Sequence, residues 1–406
     1  MAHWLSYSHS DQALLRDPGL EAAWDALVVP GTLATFYFAG TGGFVLTRDR
    51  PYVIDPRTPL LQTIDVSRPD PKKSHLALAA IHDPEVPSFW PDREISLAFW
   101  QDGRWPDVVN RVIDFQESYS QSATAKVDKY AALLREATGR SLAIDPKPPH
   151  QIVPPYWAVT GDDDPWWDLS LEAIEIALER CGPARVMPIL TLDKDAPISA
   201  FEDLINTLPD DCERAFCWRG AWDESTATVE DIHDWIGVAR LGEAVALDVT
   251  NLYGGYLSVL LTGLGLSGLN HGVGYSEQRD VRRLGATGSP PTRYYVPALR
   301  SFVSMANAQP VIDTLPAEWA CSCHVCQDVV VGGVPVVNTL SVEDLKRHFL
   351  ICRSRELQRV ASDLDSELDQ LNEVTDWLDA RSFPGIFPAG ISARLRLWSE
   401  TIDNLR

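Results

Sequence analysis

Three cysteines stand close together in the segment Cys321-Ser-Cys323-His-Val-Cys326, and His348 follows after a loop and the start of a predicted helix. Zinc in proteins is held tetrahedrally by four cysteine, histidine or carboxylate ligands, and a Cys-x-Cys-x-x-Cys turn supplies three of them. The long intervening loop lets His348 return to the turn as the fourth ligand. The sequence therefore predicts a zinc site formed by Cys321, Cys323, Cys326 and His348.

Other interpretations of these residues remain open at the level of sequence. His324 or Cys352 could replace His348 as the fourth ligand, or the cysteines could be unrelated thiols. The chain has seven cysteines, an odd and unevenly placed set, which indicates a reducing compartment and not a disulfide framework. We therefore expect a cytoplasmic protein.

Length and charge limit the class of protein. The 406 residues suffice for two or three domains or for one large α/β barrel. The net charge of −22 repels phosphate polymers at long range, which argues against a large nucleic-acid footprint but leaves room for a local basic surface. No segment resembles a signal peptide or reaches the roughly 20 apolar residues of a membrane span, so we expect no membrane association.

Short apolar segments alternate with amphipathic segments from residue 152 onward. Continuously apolar strands separated by helices are typical of a parallel sheet covered on both faces. About eight such units favour a closed barrel over an open sheet. The predicted strands are 36–38, 52–55, 152–159, 186–190, 214–218, 244–247, 264–273, 294–296 and 310–312.

The fold class predicted from this pattern is α/β, a (β/α)8-type barrel followed by a zinc-binding knuckle and a helical tail. We divide the chain accordingly into three parts. Residues 1–150 form an irregular N-terminal part with the first barrel elements, residues 151–315 the remainder of the barrel, and residues 316–406 the zinc-binding subdomain and C-terminal helices.

Four aspartates follow predicted strands, namely Asp55, Asp193, Asp248 and Asp313. In α/β barrels the catalytic groups lie at the carboxyl ends of the strands. A carboxylate there can act as a nucleophile, a general base or a hydrogen-bond acceptor, but aspartate also caps helices well. Asp193 fits the capping role better, whereas both roles remain open for Asp248 and Asp313.

A glycine-containing turn follows the predicted strand 264–273, in the sequence Leu-Asn-His-Gly-Val-Gly-Tyr-Ser-Glu of residues 269–277. Gly272 and Gly274 permit a planar ligand to approach the backbone closely. The spacing of the glycines, without a following Lys-Ser/Thr, excludes a phosphate-binding loop of the P-loop type. His271 could donate a hydrogen bond to the ligand or be a structural histidine.

Two basic clusters contrast with the acidic character of the chain. Both adjoin the predicted zinc region in sequence, where concentrated positive charge would suit the positioning of phosphates. Ordinary exposed helices carry such charges as well, so a structural interpretation stays open. The clusters consist of Arg279, Arg282, Arg283, Arg293 and Arg300, and of Lys346, Arg347, Arg353, Arg355 and Arg359.

The order of these motifs resembles the tRNA-guanine transglycosylase superfamily, and within it the branch that inserts 7-deazaguanines into DNA. Members of that superfamily are zinc-bearing α/β barrels. Their late strands carry a Gly-rich substrate-binding turn, an Arg-Tyr strand, a nucleophilic aspartate, and then Cys-x-Cys-x-x-Cys with a distant histidine. The corresponding features here are residues 268–277, Arg293-Tyr294-Tyr295, Asp313, the three clustered cysteines and His348.

The resemblance implies that guanine in a nucleic acid is exchanged for a 7-deazaguanine through a covalent intermediate on Asp313. It implies a structural zinc ion, because four protein ligands leave no open position for water. DNA is favoured over tRNA as the polymer, and partner proteins or a homodimer are further expectations. The implied substrate-binding residues are Asp248, His271, Gly272, Gly274 and Glu277, and the implied nucleic-acid-binding residues are Arg279, Arg282, Arg283, Lys346 and Arg347.

The sequence departs from the family at the general base. The family's base lies in Asp-Ser-Gly-Gly followed by an aromatic residue, and the nearest segment here is Gly40-Thr41-Gly42-Gly43-Phe44, with glycine in the aspartate position. Either another carboxylate, Asp55, supplies the base, or the exchange activity is altered or absent.

Two further functions compete with base exchange. A glycosidase would use barrel carboxylates as acid and nucleophile, with tryptophans such as Trp157, Trp166, Trp167 and Trp218 as sugar-stacking surfaces. A catalytically degenerate barrel would instead bind nucleic acid or a partner enzyme, which agrees with the glycine at position 40.

Overall fold

The centre of the computed structural model is a curled sheet of eight parallel strands, in the order β3-β2-β1-β8-β7-β6-β5-β4. Residues 2–63, 72–90, 95–139, 147–274, 277, 279–282, 291–381, 383 and 385–405 are described. The strands are β1 (Ala2–Ser6), β2 (Ala26–Pro30), β3 (Tyr52–Asp55), β4 (Ala158–Val159), β5 (Ile189–Leu192), β6 (Arg214–Arg219), β7 (Asp248–Leu252) and β8 (Gly268–Gly272). Because β1 pairs with β8 as well as with β2, the fold is barrel-like, with its edges at β3 and β4.

Both faces of this sheet are buried, in agreement with strands such as β2 (Ala-Leu-Val-Val-Pro), which is apolar along its whole length. Successive residues of a strand point to opposite faces. In β1, for example, Trp4 belongs to an apolar cluster inside the curl, whereas Leu5 belongs to the larger cluster between sheet and helices. Phe216 and Cys217 of β6 divide between the two clusters in the same way.

A glutamine side chain bridges the two edges of the curled sheet. The side-chain amide of Gln62, just after β3, accepts a hydrogen bond from Ala158 N at 2.9 Å and donates to Ala158 O at 3.2 Å. Gln116 of α6 contacts Val153 N and Val153 O in the same two-sided manner, at 3.0 and 2.7 Å, and so fastens the helix to the segment before β4. Buried backbone groups need hydrogen-bond partners. Gln62 therefore partly replaces the backbone ladder that β3 and β4 do not form with each other.

Helices connect the strands and cover the outer face of the sheet. Two of the described helices up to β8 begin with a side-chain cap: Asp164 precedes Pro165 at the start of one, and Thr228 with Asp231 forms a capping box for another. The helices up to β8 are α1 (Gln12–Leu15), α2 (Gly31–Phe36), α3 (Phe38–Val45), α4 (Lys73–His82), α5 (Leu97–Gln101), α6 (Trp105–Thr138), α7 (Pro165–Cys181), α8 (Ala200–Asn206), α9 (Val229–Ala244) and α10 (Tyr256–Thr262).

The chain after β8 forms two small hairpins and five helices, within the described residues. Strands β9 (Arg293–Val296) and β10 (Ser301–Ser304) pair antiparallel, as do β11 (Val330–Val331) and β12 (Val334–Pro335). The long helix α13 begins at a capping box formed by Ser341 and Asp344. The helices are α11 (Met305–Thr314), α12 (His324–Gln327), α13 (Val342–Ser362), α14 (Leu364–Asp379) and α15 (Ile391–Asn404).

The predicted strand 52–55 is confirmed as β3, and 214–218 as the core of β6. The predicted strands 186–190 and 152–159 overlap β5 and β4 only at residues 189–190 and 158–159, and the predicted strand 264–273 contains β8. Three further strand predictions are wrong or displaced. Residues 36–38 lie at the junction of α2 and α3, residues 310–312 lie within α11, and the strand predicted over 244–247 begins only at Asp248. Apolar residues that pack a helix onto a sheet give the same short apolar run as a buried strand, which explains these errors.

The predicted strand 294–296 is confirmed as β9, but it pairs with β10 outside the main sheet. None of the helices in the described ranges combines the length and apolar character needed to cross a membrane.

We predict that Gln62→Leu lowers the free energy of unfolding by about 1–3 kcal/mol, because it leaves the N–H of Ala158 buried without its partner, while the C=O keeps a hydrogen bond from Arg282 at 3.2 Å. Urea denaturation measures this change. The matched control is Gln121→Leu on the exposed face of α6, which should alter stability by less than about 0.5 kcal/mol. Equal effects of the two substitutions would contradict the bridging role of Gln62.

A second prediction concerns acid stability. Burial lowers the pKa of His82 from 6.5 to about 4. Between these values the unfolded chain binds the proton that the folded chain rejects, so stability falls as the pH is lowered from 6.5 towards 4, by up to about 1.4 kcal/mol per pH unit for this residue. We expect His82→Gln to reduce the slope of unfolding free energy against pH by that amount. An unchanged slope in urea titrations at several pH values would exclude His82 as its source.

Candidate active site and metal centre

Four side chains converge in the C-terminal part as the sequence predicts. Cys321, Cys323, Cys326 and His348 are all buried, and their ligand atoms lie within 4.8 Å of one another. The Nδ1 atom of His348 is 3.7, 3.3 and 3.4 Å from the three sulfur atoms in chain order. Cys323 caps α12 and Cys326 lies within it, while His348 projects from α13. The cluster could hold a metal ion, and three thiolates with one imidazole suit zinc.

Neighbouring groups fix the orientation of these ligands. The Nε2 atom of His348 lies 2.7 Å from the carbonyl oxygen of Tyr295, so Nε2–H donates and Nδ1 is left free for a metal. The ring of Tyr294 stacks on the imidazole at 4.6 Å, and its hydroxyl lies 3.2 Å from the sulfur of Cys326. Hydrogen bonds with Cys321, Cys326 and Cys352 lower the pKa of the Cys323 thiol, which favours the thiolate that a metal requires.

The structure also places the two alternative fourth ligands. His324 is exposed on α12 and does not belong to the cluster. Cys352 lies one turn after His348 on α13, with its sulfur 3.7 Å from that of Cys321 and 3.6 Å from His348 Nδ1. Burial raises the pKa of the Cys352 thiol well above its ordinary value. Cys352 therefore lies next to the cluster, and its thiol favours the protonated form.

A separate cavity of about 400 Å³ opens at the carboxyl edge of the curled sheet. This volume lies within the range of small-molecule sites. Residues at the ends of β1, β2 and β8, and just after β7, form its walls, as expected for the catalytic edge of a barrel-like fold. The cavity is lined by Ser6, Tyr7, Ser8, Ser10, Asp11, Pro30, Thr32, Leu33, Tyr253, Gly272, Val273, Arg279 and Lys346.

Asp55 ends β3 beside this cavity, since its register partner in β2 is the cavity residue Pro30. Its carboxylate is 1% exposed. One oxygen, Oδ1, accepts hydrogen bonds from Arg57 N at 2.8 Å and from the hydroxyl of Tyr156 at 2.7 Å. The other oxygen, Oδ2, has no hydrogen-bond donor among the described residues, and its nearest cation is Arg57 NH1 at 3.8 Å. One oxygen of the Asp55 carboxylate is thus held in place by two hydrogen bonds, and the other is buried without a hydrogen bond among the described residues.

Arg57 supplies unused donors at the same place. Its side chain is 1% exposed, and neither NH1 nor NH2 makes a hydrogen bond within the described part of the chain. The guanidinium lies over the ring of Trp218 at 4.8 Å, and the backbone adopts φ 53°. Unpaired buried polar groups and a left-handed backbone are costly, and they concentrate at functional sites.

The segment that follows β8 crosses the mouth of the curl. Val281 enters the inner apolar cluster, and Arg279 O accepts a hydrogen bond from Trp218 Nε1 at 3.1 Å. The guanidinium of Arg279 donates to the hydroxyl of Tyr253 at 3.1 Å. The rings of Trp218 and Tyr253 lie 4.8 Å apart. A chain of contacts through Arg57, Trp218 and Tyr253 therefore connects Asp55 with the cavity wall.

Two of the predicted catalytic or substrate-binding aspartates do not reach this mouth. Asp248 is the first residue of β7, and therefore at the opposite end of the sheet, where it is exposed and pairs with Arg214 at 3.7 Å. Asp313 is exposed near the end of α11 and accepts a hydrogen bond from Gln309 at 2.9 Å. We predicted Asp248 to follow a strand over 244–247, which begins only at Asp248, and Asp313 to follow a strand over 310–312, which is part of α11. Tyr253, which follows the true end of β7, occupies the position expected for Asp248.

The predicted substrate-binding turn divides between two sites. Gly272 lines the cavity, and Gly274, with φ 97°, lies against Lys346. His271 instead points behind the sheet, where its Nε2 lies 2.8 Å from that of His3. Glu277 forms an ion pair with Arg353 at 2.5 Å. His271 and Glu277 are accordingly part of the packing of α13 against the sheet.

Most of the predicted nucleic-acid-binding residues are already paired. Arg282 contacts Asp193 at 3.1 Å. Asp193 follows the last residue of β5, as predicted. Lys346 pairs with Asp11 at 2.6 Å, and Arg347 pairs with Asp17 at 2.7 Å. These cations hold together segments distant in sequence. Arg283 lies outside the described residues.

Sequence reasoning missed Arg57, Tyr156, Tyr253 and Asp11 as members of the mouth, and it named Trp218 only as a sugar-stacking surface. A signal existed for Arg57, which stands two residues after Asp55 in Asp-Pro-Arg at a strand end. The tryptophans proposed as sugar platforms are mostly core residues, since Trp157, Trp167 and Trp218 are at most 3% exposed.

The chain was compared with models of known protein families, with curated proteins and with solved structures, and none of the three comparisons finds a match. The functional argument therefore depends on the geometry of the mouth and of the metal centre.

We predict that Cys323→Ser lowers bound zinc from about one ion per chain to almost none and reduces the melting temperature, because a structural metal contributes directly to folding. Metal content by emission spectroscopy and thermal melting are the measurements. Cys352→Ser is the matched control and should keep its zinc. Loss of zinc in Cys352→Ser with retention in His348→Ala would make Cys352 the fourth ligand instead.

Proposed function

We propose that this chain exchanges guanine in a nucleic acid, with DNA favoured over tRNA, for a 7-deazaguanine, in the manner of the superfamily it resembles. The observation that carries the proposal is the Asp55 carboxylate, buried at a strand end with one oxygen held and the other free. The proposal includes a complete (β/α)8-type barrel, in which Gln62 joins the β3 edge of the sheet to Ala158 of β4.

Asp55 takes the nucleophilic role in this proposal. Its free Oδ2 attacks C1′ of the target nucleotide, and the bond from C1′ to N9 of guanine breaks, with the electron pair remaining on N9 and a proton added there. The incoming 7-deazaguanine then loses its N9 proton, and N9 attacks C1′ and displaces the carboxylate. Two displacements retain the configuration at C1′.

A second carboxylate is needed to move the protons. Asp11 lines the cavity, and its position is fixed by Lys346 at 2.6 Å and by the hydroxyl of Ser10 at 3.3 Å. A carboxylate in a cavity wall can take a proton from one base and return it to another. In this proposal Asp11 takes the role of the general base, because position 40 has a glycine where the family has an aspartate.

The remaining mouth residues suit a planar base. The NH1 and NH2 groups of Arg57 are free donors for the carbonyl oxygen of guanine or 7-deazaguanine. Tyr253, which lines the cavity, offers an aromatic surface, and the buried ring of Trp218 packs against it at 4.8 Å. The base would have to leave its stack to enter the cavity.

Zinc in this proposal is structural, bound by Cys321, Cys323, Cys326 and His348 with no open position for a substrate. These residues join α12 to α13, and the Nε2 bond of His348 to Tyr295 O joins α13 to β9.

The test compares two aspartates of the same chain. We expect Asp55→Asn to reduce incorporation of labelled guanine and labelled 7-deazaguanine into DNA or tRNA by at least about a thousandfold, because it removes the nucleophile. Asp313→Asn should retain full incorporation. Both variants are checked for zinc content and for melting, so that loss of fold is not mistaken for loss of chemistry.

The opposite pattern, with Asp313→Asn inactive and Asp55→Asn active, would return the nucleophile to α11. No incorporation by the wild-type protein into either polymer would favour the degenerate barrel, and turnover of a chromogenic glycoside would favour the glycosidase.

A further inference from the structure

Two aromatic side chains differ from all the others in the described part of the chain. Phe36 and Tyr37 are 41% and 49% exposed, whereas the remaining described aromatic side chains are buried or half-buried. Single exposed apolar side chains are normal on a protein surface, whereas contiguous ones can mark a binding surface. Here they lie side by side, with ring centres 4.8 Å apart.

These rings stand at the same edge of the sheet as the cavity. Helix α2 begins at Gly31, directly after β2, and Phe36 ends it. The ring of Tyr37 contacts His9 at 4.6 Å, and His9 contacts Tyr7 at 5.6 Å. Tyr7 in turn lines the cavity. A continuous row of rings therefore leads from the surface to the cavity.

Three cations accompany this row. Arg16 and Arg48 lie over the ring of Phe44 at 5.5 and 5.9 Å, and Lys126 lies over Phe38 at 4.7 Å. Phe44 stacks on Tyr7 at 5.4 Å, which joins the arginines to the row. None of these three cations forms an ion pair with a carboxylate of the described residues.

The contrast with the other basic residues is informative. Lys346, Arg347 and Arg282 each have a carboxylate within 3.1 Å, so their charge is largely compensated inside the protein. Arg16, Arg48 and Lys126 have no carboxylate of the described residues within ion-pair distance, although the chain has a net charge of −22. Their charges are therefore available to an anionic ligand. An acidic protein needs at least a local group of such cations to bind a phosphate backbone, because the rest of its surface repels the phosphates.

We propose that Phe36, Tyr37, Arg16, Arg48 and Lys126 form a platform that binds the unpaired nucleotides of a single-stranded nucleic acid at the entrance to the cavity. The inference rests on the proposed function for what happens in the cavity, and it adds the state of the polymer that is bound. A base within a duplex has no free face, whereas an unpaired base can stack on an exposed ring. The cations would contact the phosphates between the stacked bases.

The row of rings also explains how one base would be selected. Nucleotides held on Phe36 and Tyr37 place the next base of the strand near Tyr7 and the cavity. The energy of unstacking is smallest for a base that is already unpaired. The platform would therefore deliver an unpaired guanine to Asp55 and Arg57 without opening a duplex.

The experiment is fluorescence anisotropy of a labelled mixed-sequence oligonucleotide with the full-length protein, as single-stranded DNA, as the same sequence in RNA, and as duplex DNA. We expect tighter binding to the single strands than to the duplex. The double variant Phe36→Ala with Tyr37→Ala should weaken single-strand binding by about tenfold or more. Arg16→Ala with Arg48→Ala should weaken it and reduce the magnitude of the slope of log affinity against log salt by about 1.4, because two phosphate contacts are lost.

The matched control is Val330→Ala with Val331→Ala, which removes an exposed apolar pair on β11 and should leave binding unchanged. Lys129→Ala, an exposed cation on the same helix as Lys126, controls for charge alone. Unchanged single-strand affinity in the Phe36/Tyr37 variant would overturn the platform. So would equal affinity for duplex and single strand, or self-association that the same variant abolishes without any oligonucleotide binding.

The same variants separate this inference from the proposed function. If the wild type binds single strands through the platform but Asp55→Asn and wild type both lack exchange, the platform stands and the proposed function fails. If exchange occurs and the platform variant keeps the wild-type KM for the polymer, the platform fails and the proposed function stands. Comparison of the DNA and RNA arms identifies the polymer.

Discussion

The guanidinium group of Arg353 has no exposed surface, and much of the structure is arranged to accommodate its charge. Burial opposes the charged form, but Tyr295, Glu356 and Glu277 outweigh it, so that the pKa of Arg353 is raised. Glu277 and Glu356 lie 2.5 and 3.1 Å from the guanidinium. Removing one partner of such a buried pair typically costs about 3–5 kcal/mol, because the remaining charge is left uncompensated. Arg353 therefore fixes α13 against the segment that follows β8.

Helix α13 consequently connects the metal centre with the mouth of the curled sheet. His348 belongs to the metal cluster, and one turn or less away Lys346 lines the cavity and holds Asp11. Arg347 fastens the same helix to Asp17 in the N-terminal segment. A metal bound by His348 would stabilise the position of α13 and, through Lys346, the shape of the cavity. A structural metal can thus support a distant site without taking part in its chemistry.

The location of charge separates structural from ligand-binding cations. Many of the Lys and Arg residues near 277–300 and 346–359 pair with acids from other segments. Arg16, Arg48 and Lys126 form no ion pair within the described residues, and they come from three separate segments of the chain. Charge density along a sequence counts cations but does not show which carboxylates neutralise them, since those come from remote segments.

The sequence alone determined the parallel α/β character and the Cys321, Cys323, Cys326 and His348 cluster, because hydrophobic pattern and ligand spacing are local properties. It also identified Asp55, at the end of a strand whose bounds were predicted correctly. Tertiary structure decided the rest of the candidate site. Asp248 and Asp313 left it because a short apolar run does not fix where a strand begins or whether it is a helix. Arg57, Tyr156, Trp218 and Tyr253 entered it because a curled sheet brings the ends of distant strands together, and that proximity depends on strand order and pairing, which no local pattern encodes.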